Sequence, residues 1–385
     1  MVNQVDFSYL NNTYQQFTNV GSPIYINPGF NALFKVGVND LLEDYRITGG
    51  IRLSADIDKT EYVLSFENLR SRVDKQLLFH RQSLQNIEGS SNVKHHTNEV
   101  LYMLKFPFNQ VMSIKGTSLI RNDQAVYLST DLKNLKEPNT NKTWAGLKGE
   151  FVFDNTREKG MNLYYGTRFK AFAEVYKQLD EKNKQLNVVG FDFRNYQKIS
   201  RLFIWANRIA GSTSFGNQKL VYYMGGVDNW LFPKFNNYIN VATDQNYAYQ
   251  TLATNLRGFT QNIRNGNSFM LINSEFRLPV FRYFVNRPLK SEIFNNFQIV
   301  AFGDIGTAWT GSNPYSDKNS LYTRIYQQGP LTITIRTQNE PIVGGYGFGL
   351  RTKLMGYFVR ADWAWGVEDA IVLPKVFYLS LGLDF

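Results

Sequence analysis

Residues 375–385 decide the fold, and they read Lys-Val-Phe-Tyr-Leu-Ser-Leu-Gly-Leu-Asp-Phe. Successive side chains of a β-strand point to opposite faces, so this alternation predicts a strand with one apolar face. The apolar face carries Phe377, Leu379, Leu381, Leu383 and Phe385. The opposite face carries Tyr378, Ser380, Gly382 and Asp384.

The same period of two recurs along most of the chain, for example in residues 46–56, 161–175 and 345–365. Aromatic residues make up 15% of the chain and charged residues only 19%, with a mean hydropathy of −0.33. A membrane-spanning helix needs about 18–20 consecutive apolar residues, and the sequence has no such run, which excludes a helical membrane protein. Transmembrane β-strands alternate apolar and polar residues, so they average to mild hydrophilicity.

A soluble β-sandwich would also alternate, but the connections between strands favour a barrel. We predict tight turns near residues 67–74, 155–160 and 195–198, and long polar loops at residues 89–98, 212–267 and 310–341. Short turns and long external loops are typical of transmembrane barrels, and aromatic residues near strand ends fit a membrane interface. We therefore predict an all-β protein: a closed antiparallel transmembrane β-barrel of about sixteen strands. Residues 29–385 would form it, after a lead-in segment at residues 1–28.

Charge and cysteine content narrow the function classes. The chain has no cysteine, which excludes disulfides, zinc–thiolate sites and a catalytic thiol. Its net charge of +10 is spread along the sequence, so we expect contact with outer-membrane lipid and lipopolysaccharide and no nucleic-acid partner. The first residues lack a signal-peptide pattern, and we expect an upstream periplasmic domain or accessory subunits outside this chain.

The three histidines are the obvious candidates for enzyme or metal chemistry. His95 and His96 precede Glu99 in a predicted loop, but adjacent histidines point apart in an extended chain and no third ligand is suitably spaced. His80 with Ser83 is the one pairing of the kind that barrel hydrolases use, but a place in the barrel wall explains His80 better. We expect no enzyme, no metal site and no cofactor.

Five runs in the C-terminal half resemble the motifs of BamA-type outer-membrane assembly barrels, in the same order. They are Leu256-Arg257-Gly258-Phe259, Asn273-Ser274-Glu275-Phe276-Arg277-Leu278-Pro279, Phe302-Gly303-Asp304-Ile305-Gly306, Gly347-Phe348-Gly349-Leu350-Arg351 and Arg360-Ala361-Asp362-Trp363-Ala364. The first resembles the tip of the family's long sixth extracellular loop, and the others resemble its last strands. The resemblance covers residues 225–385, and the chain also resembles barrels fused behind a TolB-like propeller in some Bacteroidota proteins.

This resemblance implies that the long loop folds back into the barrel. Alternation places Glu275 and Asp304 on one inward face, where the guanidinium of Arg257 can meet both through paired hydrogen bonds. We expect Gly345, Gly347 and Gly349 to leave room for that loop inside the lumen. The alternating residues 377–385 look like the C-terminal assembly signal of outer-membrane barrels.

The family implies assistance in outer-membrane protein assembly, or polypeptide translocation, with client or partner polypeptides. In that family the first and last strands pair poorly; here these would be residues 30–38 and 376–385. The alternative is a plugged structural barrel that anchors a periplasmic or surface partner, and a third reading is a diffusion channel. The resemblance places the chain in the surface antigen family of Gram-negative bacteria, at the outer membrane.

Overall fold

The computed structural model describes most of the chain. The described residues are 14–17, 31–54, 60–88, 91–128, 137–181, 183–242, 244–253, 255–285, 287, 289–319, 321–328, 331–336, 339–354 and 356–385. Among them, no helix is long and apolar enough to cross a membrane.

The described residues form strands and two short helices. In chain order the strands are β1 (Gln15–Gln16), β2 (Asn31–Asn39), β3 (Tyr45–Ser54), β4 (Thr60–Asn68), β5 (Asp74–Glu88), β6 (Ser91–Pro107), β7 (Met112–Tyr127), β8 (Thr140–Asp154), β9 (Arg157–Gly160), β10 (Leu163–Gln178), β11 (Gln185–Lys198), β12 (Ile204–Gly216), β13 (Lys219–Met224), β14 (Tyr247–Ala253), β15 (Arg264–Gly266), β16 (Ser268–Leu278), β17 (Gln298–Trp309), β18 (Thr323–Gln328), β19 (Leu331–Arg336), β20 (Val343–Leu354), β21 (Tyr357–Glu368), β22 (Ile371–Val372) and β23 (Val376–Leu381). The helices are α1 (Val280–Phe284) and α2 (Glu292–Asn296), both between β16 and β17.

A closed antiparallel barrel accounts for most of the strands. It contains seventeen described strands, of which β9 and β22 are short. The long strands pair in chain order, skipping only the strands that lie in connections: β12 pairs with β16, β17 with β20, and β21 with β23. Among the described residues an unbroken series of antiparallel ladders runs from β2 to β23, and no ladder joins these two end strands to each other. The predicted all-β barrel of about sixteen strands is confirmed.

The barrel wall is apolar outside and polar inside, because side chains alternate across each strand. Along β6 and β7, buried positions alternate with exposed or half-buried ones. Large apolar side chains such as Leu64, Ile120 and Leu147 are more than half exposed on the outer surface. An apolar outer band of this kind is what lipid requires of a transmembrane barrel.

A second, smaller sheet fills part of the lumen. It has the order β1-β14-β13-β15, and we call it the lumen sheet. Three of its strands come from the connection between β12 and β16, and β1 comes from the N-terminal segment. The main hydrophobic core lies between this sheet and the wall, where Leu220, Met224 and Leu256 pack with inward residues such as Trp144 and Leu271. Most of the predicted lead-in segment lies outside the described residues, but residues 14–17 lie inside the lumen.

Several predicted connections are wrong. Residues 91–98, predicted as a loop, belong to β6, and residues 195–198, predicted as a turn, belong to β11. Residues 212–216 likewise belong to β12, and residues 323–336 include the β18–β19 hairpin within the third long loop. Residues 91–98 and 195–198 carry mostly polar side chains, and this composition resembles that of a loop.

The C-terminal residues also depart from the expectation. β23 ends at Leu381, and Gly382 takes a φ of +112°, in the left-handed region. The predicted common face of Phe377, Leu379, Leu381, Leu383 and Phe385 is therefore wrong for Phe385. Phe377 and Leu383 are exposed, whereas Phe385 is 6% exposed and packs against inward residues including Tyr196 and Ile204. Glycine allows this backbone turn without a side-chain clash, and it directs the last residues into the lumen.

Candidate functional site

Two carboxylates lie side by side on the inner wall, on the neighbouring strands β16 and β17. The antiparallel register sets Asn273 opposite Asp304, and Glu275 opposite Phe302. Alternation points all four side chains inward, and each is at most 6% exposed. The wall therefore presents two buried acidic groups to whatever enters the lumen at this level.

Arg257 reaches both carboxylates from the tip of the long connection. Its Nε and Nη2 donate to the two oxygens of Asp304 at 2.6 and 2.7 Å, and its Nη1 donates to Glu275 Oε1 at 2.7 Å. Its backbone N–H also donates to Asp304, at 3.1 Å. The side chain is only 3% exposed. The planar guanidinium suits this arrangement, because it matches one carboxylate with two parallel bonds and still has a donor for the other. We call Arg257, Glu275 and Asp304 the Arg257 cluster.

Neighbouring groups hold this cluster in one geometry. The guanidinium lies over the ring of Phe302, at 3.6 Å from its centroid. Asn273 donates to Asp304 Oδ1 and to the Asn255 carbonyl, both at 2.7 Å, so it ties the wall to the loop a second time. Burial by itself would lower the pKa of Arg257, but the negative charges of Asp304 and Glu275 raise it well above its ordinary value. The arginine therefore stays charged, and the cluster acts as a permanent attachment rather than as an acid or base.

The rest of the loop tip is held by backbone contacts and packing. Gly258 has a φ of +98°, and its N–H donates to the hydroxyl of Tyr378, at 2.9 Å. The same hydroxyl donates to the Phe259 carbonyl, at 2.6 Å. Leu256 and Phe259 are buried in the hydrophobic core. All four residues of the predicted loop-tip motif therefore contact the barrel interior or the lumen sheet.

The three predicted lumen glycines differ in what they face. A Cβ atom at Gly345 would overlap the carbonyl oxygen of Arg257, so this glycine leaves room for the loop tip itself. At Gly347 it would meet the Trp363 carbonyl and the Phe302 ring, and at Gly349 the Asp362 carboxylate. Only the first of the three contacts the loop, whereas the other two allow close packing within the wall.

The cluster continues to the C-terminus of the chain through a second arginine. Arg277 pairs with the free oxygen of Glu275 at 2.8 Å and donates to the carbonyl oxygen of Phe385 at 3.2 Å. Arg351 pairs with Asp362 at 2.7 Å and with Asp384 at 2.9 Å. The residues 384 and 385 are therefore held inside the lumen by buried cations on β16 and β20.

A separate polar cluster lies on a different part of the wall and holds the lumen sheet there. Tyr249 of β14 donates to Asp123 Oδ2 at 2.7 Å, and the guanidinium of Arg121 lies 4.3 Å from the centre of its ring. Arg121 also pairs with Asp123 at 2.9 Å and with Glu99 at 2.8 Å. We call Tyr249, Asp123, Arg121 and Glu99 the Tyr249 cluster.

The Tyr249 cluster could not be predicted from the motifs of the C-terminal half. Its wall residues sit at inward positions of β6 and β7, and His80 of β5 extends it by contacting Glu99 at 3.1 Å and Glu61 at 3.0 Å. The signal available was a set of charged residues at alternate positions in three consecutive strands. It was not recognised because the N-terminal half resembles the family in strand pattern only.

The histidines weighed as candidates have structural partners. His95 and His96 lie in β6 rather than in a loop, so that expectation is wrong; His96 contacts the Ser83 hydroxyl at 2.7 Å, and His95 contacts Gln16 at 3.2 Å. His80 lies in the wall, facing the lumen. Within the part of the chain that the structure describes, no group of three His, Cys, Asp or Glu side chains could hold a metal ion.

Comparison with known proteins places this geometry in a known fold. No protein-family model matches the chain, and no curated protein matches its sequence. The chain is similar to the crystal structure of BamA from Haemophilus ducreyi lacking POTRA domains 1–3, with a TM-score of 0.58 and 12% identity over 94% of this chain and 69% of that one. CdiB from Escherichia coli gives a TM-score of 0.46 and 11% identity over 91% of this chain and 59% of that one. The resemblance predicted from the motifs is therefore confirmed at the level of the fold, which is that of the BamA barrel.

Proposed function

We propose that this chain is a BamA-type outer-membrane barrel that assists the assembly of other outer-membrane proteins or translocates polypeptides. The observation that carries the proposal is the Arg257 cluster. A loop of some fifty residues enters the lumen and is held there by three side-chain bonds to two buried carboxylates. A loop that fills the lumen would block diffusion of small solutes through it. This arrangement therefore favours a role in handling polypeptides over a diffusion channel.

The seam between β2 and β23 supports the same proposal. Among the described residues no ladder joins these two strands. An unpaired strand edge is a site where another polypeptide can add a strand. The proposed action needs no bond-making chemistry, so we propose that the chain is not an enzyme and uses no cofactor.

The remaining parts of the proposal concern place and partners. We propose an outer-membrane location, contact with its lipid and lipopolysaccharide, and a periplasmic domain or accessory subunit that delivers clients. We also propose that the alternating residues 377–383, followed by Phe385, act as the signal for assembly of this barrel itself. The turn of Phe385 into the lumen is compatible with that role if recognition precedes the completion of folding.

A structural anchor is the second candidate, and the Tyr249 cluster favours it. Attachment of the lumen sheet at two places on the wall would make a stable plug that never needs to leave. In this alternative the barrel holds a periplasmic or surface partner in the membrane and transports nothing.

Reconstitution separates the two candidates. The barrel is placed in liposomes, an unfolded outer-membrane barrel protein is added, and the folded, protease-resistant fraction is followed over time. We expect folding several-fold faster than in liposomes that contain a porin at the same protein-to-lipid ratio. Equal rates would contradict the assembly role and leave the anchor as the better proposal.

A further inference from the structure

The connection between β16 and β17 is unlike its neighbours at the same end of the barrel, the end opposite the long connection between β12 and β16. Four other connections at this end have five residues or fewer: residues 40–44, 69–73, 108–111 and 199–203. β16 and β17 are instead separated by residues 279–297, which include α1 and α2. We call α1, α2 and the described residues between them (Val285, Arg287 and 289–291) the helical ledge.

The helical ledge lies along the outer rim of the barrel. Alternation along β20 points Arg351, which is buried, into the lumen and Thr352 to the outside. The Thr352 hydroxyl donates to the carbonyl of Ile293 in α2, at 2.8 Å. At the other end of the ledge, the hydroxyl of Tyr283 in α1 lies 3.0 Å from that of Ser200, in the turn between β11 and β12. Both helices are therefore fixed to the rim, with α2 on the outer side of the wall.

The ledge carries exposed aromatic side chains at this rim. Phe284 is 70% exposed, and its ring contacts that of Tyr283 at a centroid distance of 5.1 Å. Phe294 is half exposed, and its ring packs edge-on against Phe281 at 5.0 Å, which joins the two helices. Ile299, the first outward residue of β17, is also exposed, so the apolar outer band of the wall continues into the ledge. Aromatic residues at the edge of such a band are typical of a membrane interface.

Basic side chains accompany the exposed rings. Arg287 and Lys290 lie between the two helices and are exposed, and neither forms an ion pair with any residue that the structure describes. The one carboxylate in residues 279–297, Glu292, pairs with Lys353 of the wall. Exposed aromatic and basic side chains together characterise segments that lie in the interface of an anionic membrane, where rings enter the acyl boundary and cations attract lipid phosphates.

The turn between β2 and β3, at the same end of the barrel, has an exposed apolar residue but the opposite charge. Leu41 is almost fully exposed, and its neighbours Asp40, Glu43 and Asp44 are acidic. Like charges repel, so this turn disfavours an anionic surface. The ledge and the turn therefore form a matched comparison within one protein.

We propose that the helical ledge is a binding surface for anionic phospholipid. Phe284 and Phe294 insert among the acyl chains, while Arg287 and Lys290 contact the phosphates. The continuity of the ledge with the apolar outer band, together with its exposed cations, favours lipid over a partner protein as the occupant. Assignment of this lipid to the periplasmic leaflet rests on the proposed function, whereas the preference of the ledge for anionic lipid does not.

The first test measures which lipid contacts the ledge. Because the chain has no cysteine, Val285→Cys supplies a single thiol for a bimane label. The labelled barrel is placed in nanodiscs that contain either nitroxide-labelled phosphatidylglycerol or the same fraction of nitroxide-labelled phosphatidylcholine. We expect phosphatidylglycerol to quench the label at least about three-fold more strongly, because basic residues near the surface attract anionic lipid. Leu41→Cys, labelled in the same way, is the control and should show no such preference; equal quenching by the two lipids at position 285 would overturn the proposal.

The second test removes the charge of the ledge. In the Val285→Cys protein, Arg287→Glu together with Lys290→Glu should abolish the preference for phosphatidylglycerol, and high salt should weaken it in the protein without these changes. Both side chains are exposed, so the urea midpoint should not change. A preference that survives the double substitution would show that these two cations do not select the lipid.

The third test uses iodide, a quencher that stays in water. We expect iodide to quench the label at position 285 several-fold less than the label at position 41, because the ledge lies in the lipid interface. Equal quenching would place the ledge in water and overturn the lipid site, leaving a partner protein as the better occupant. None of these readouts depends on assembly activity. If they agree with expectation but client folding in liposomes is not accelerated, the lipid site stands and the assembly role fails.

Discussion

The lumen sheet and its loop are attached to the barrel wall in two regions that differ in chemistry. At the Arg257 cluster, one loop arginine makes three side-chain bonds to two carboxylates on adjacent strands. At the Tyr249 cluster, the charges all belong to the wall, and the lumen sheet contributes one neutral hydroxyl and one aromatic ring. Removal of the loop arginine thus leaves Asp304 buried without its cationic partner, whereas Glu275 keeps Arg277. Removal of Tyr249 leaves no charge of the second region unpaired, because Asp123 keeps Arg121.

This difference shows which attachment of the loop or sheet is lost most easily when one side chain is replaced. A buried ion pair adds little net stability compared with apolar packing, but loss of one partner is costly because the other charge remains buried. The Arg257 cluster therefore makes the inserted loop position strongly dependent on one side chain. In the Tyr249 cluster the charges of the wall are paired with one another, so this cluster would remain stable if the sheet moved.

The largest effect is expected from Arg257→Glu, which adds a third negative charge beside Glu275 and Asp304. The loop tip should leave the cluster, with a loss of more than about 3–5 kcal/mol in the free energy of unfolding. We expect the unchanged barrel to conduct ions poorly in planar bilayers, because the loop fills its lumen. For the variant we expect a lower urea midpoint and a clear rise in conductance. Arg46→Glu, at a half-exposed arginine whose carboxylate partner lies 3.8 Å away, is the control. Large conductance steps like those of a porin, recorded from the unchanged protein, would show that the loop does not block the lumen.

Gly345→Ala tests the same region through shape instead of charge. The new methyl group would overlap the Arg257 carbonyl, so the loop tip must shift at a cost of about 1–3 kcal/mol. Gly344→Ala is the matched control, since its methyl group would lie 3.6 Å from the nearest atom, an ordinary contact. Thermal unfolding of both variants checks the expectation, and equal melting temperatures would show that the tip does not need this space.

A smaller effect is expected from Tyr249→Phe in the other region. The substitution removes one hydrogen bond but leaves Asp123 paired with Arg121, so the loss should be about 1 kcal/mol. Conductance should change little. Tyr238→Phe, at a side chain 86% exposed, serves as the control. A loss as large as that of Arg257→Ala would mean that the two regions do not differ as described.

The smallest effect is the coupling between the two regions. In a double-mutant cycle of Arg257→Ala and Tyr249→Phe, the losses should add within about 0.5 kcal/mol, because the two side chains contact different wall residues. Urea unfolding of the four proteins measures the coupling. A coupling above about 1 kcal/mol would instead show that the lumen sheet transmits strain from one attachment to the other.

Part of this site could be predicted because side-chain alternation is a local property. The inward direction of Glu275 and Asp304 follows from counting along each strand, and the motif order pointed to Arg257 as their partner. The Tyr249 cluster was not predicted, since it requires the registers of β6 and β7 and the path of β14 through the lumen. Phe385 was placed on the wrong face because the alternation predicts no break at Gly382.

By itself, the sequence determined the all-β class, the inward and outward faces of most strands and the absence of cysteine chemistry. These properties depend on neighbouring residues and on composition, which require no knowledge of distant contacts. Only the tertiary structure decided that residues 14–17 lie in the lumen, that Phe385 turns inward, and that residues 229–231 pair with β23. Each of these features joins two segments that are more than a hundred residues apart in the sequence, through backbone bonds, buried charges or ring contacts. No pattern within either segment specifies such a partner.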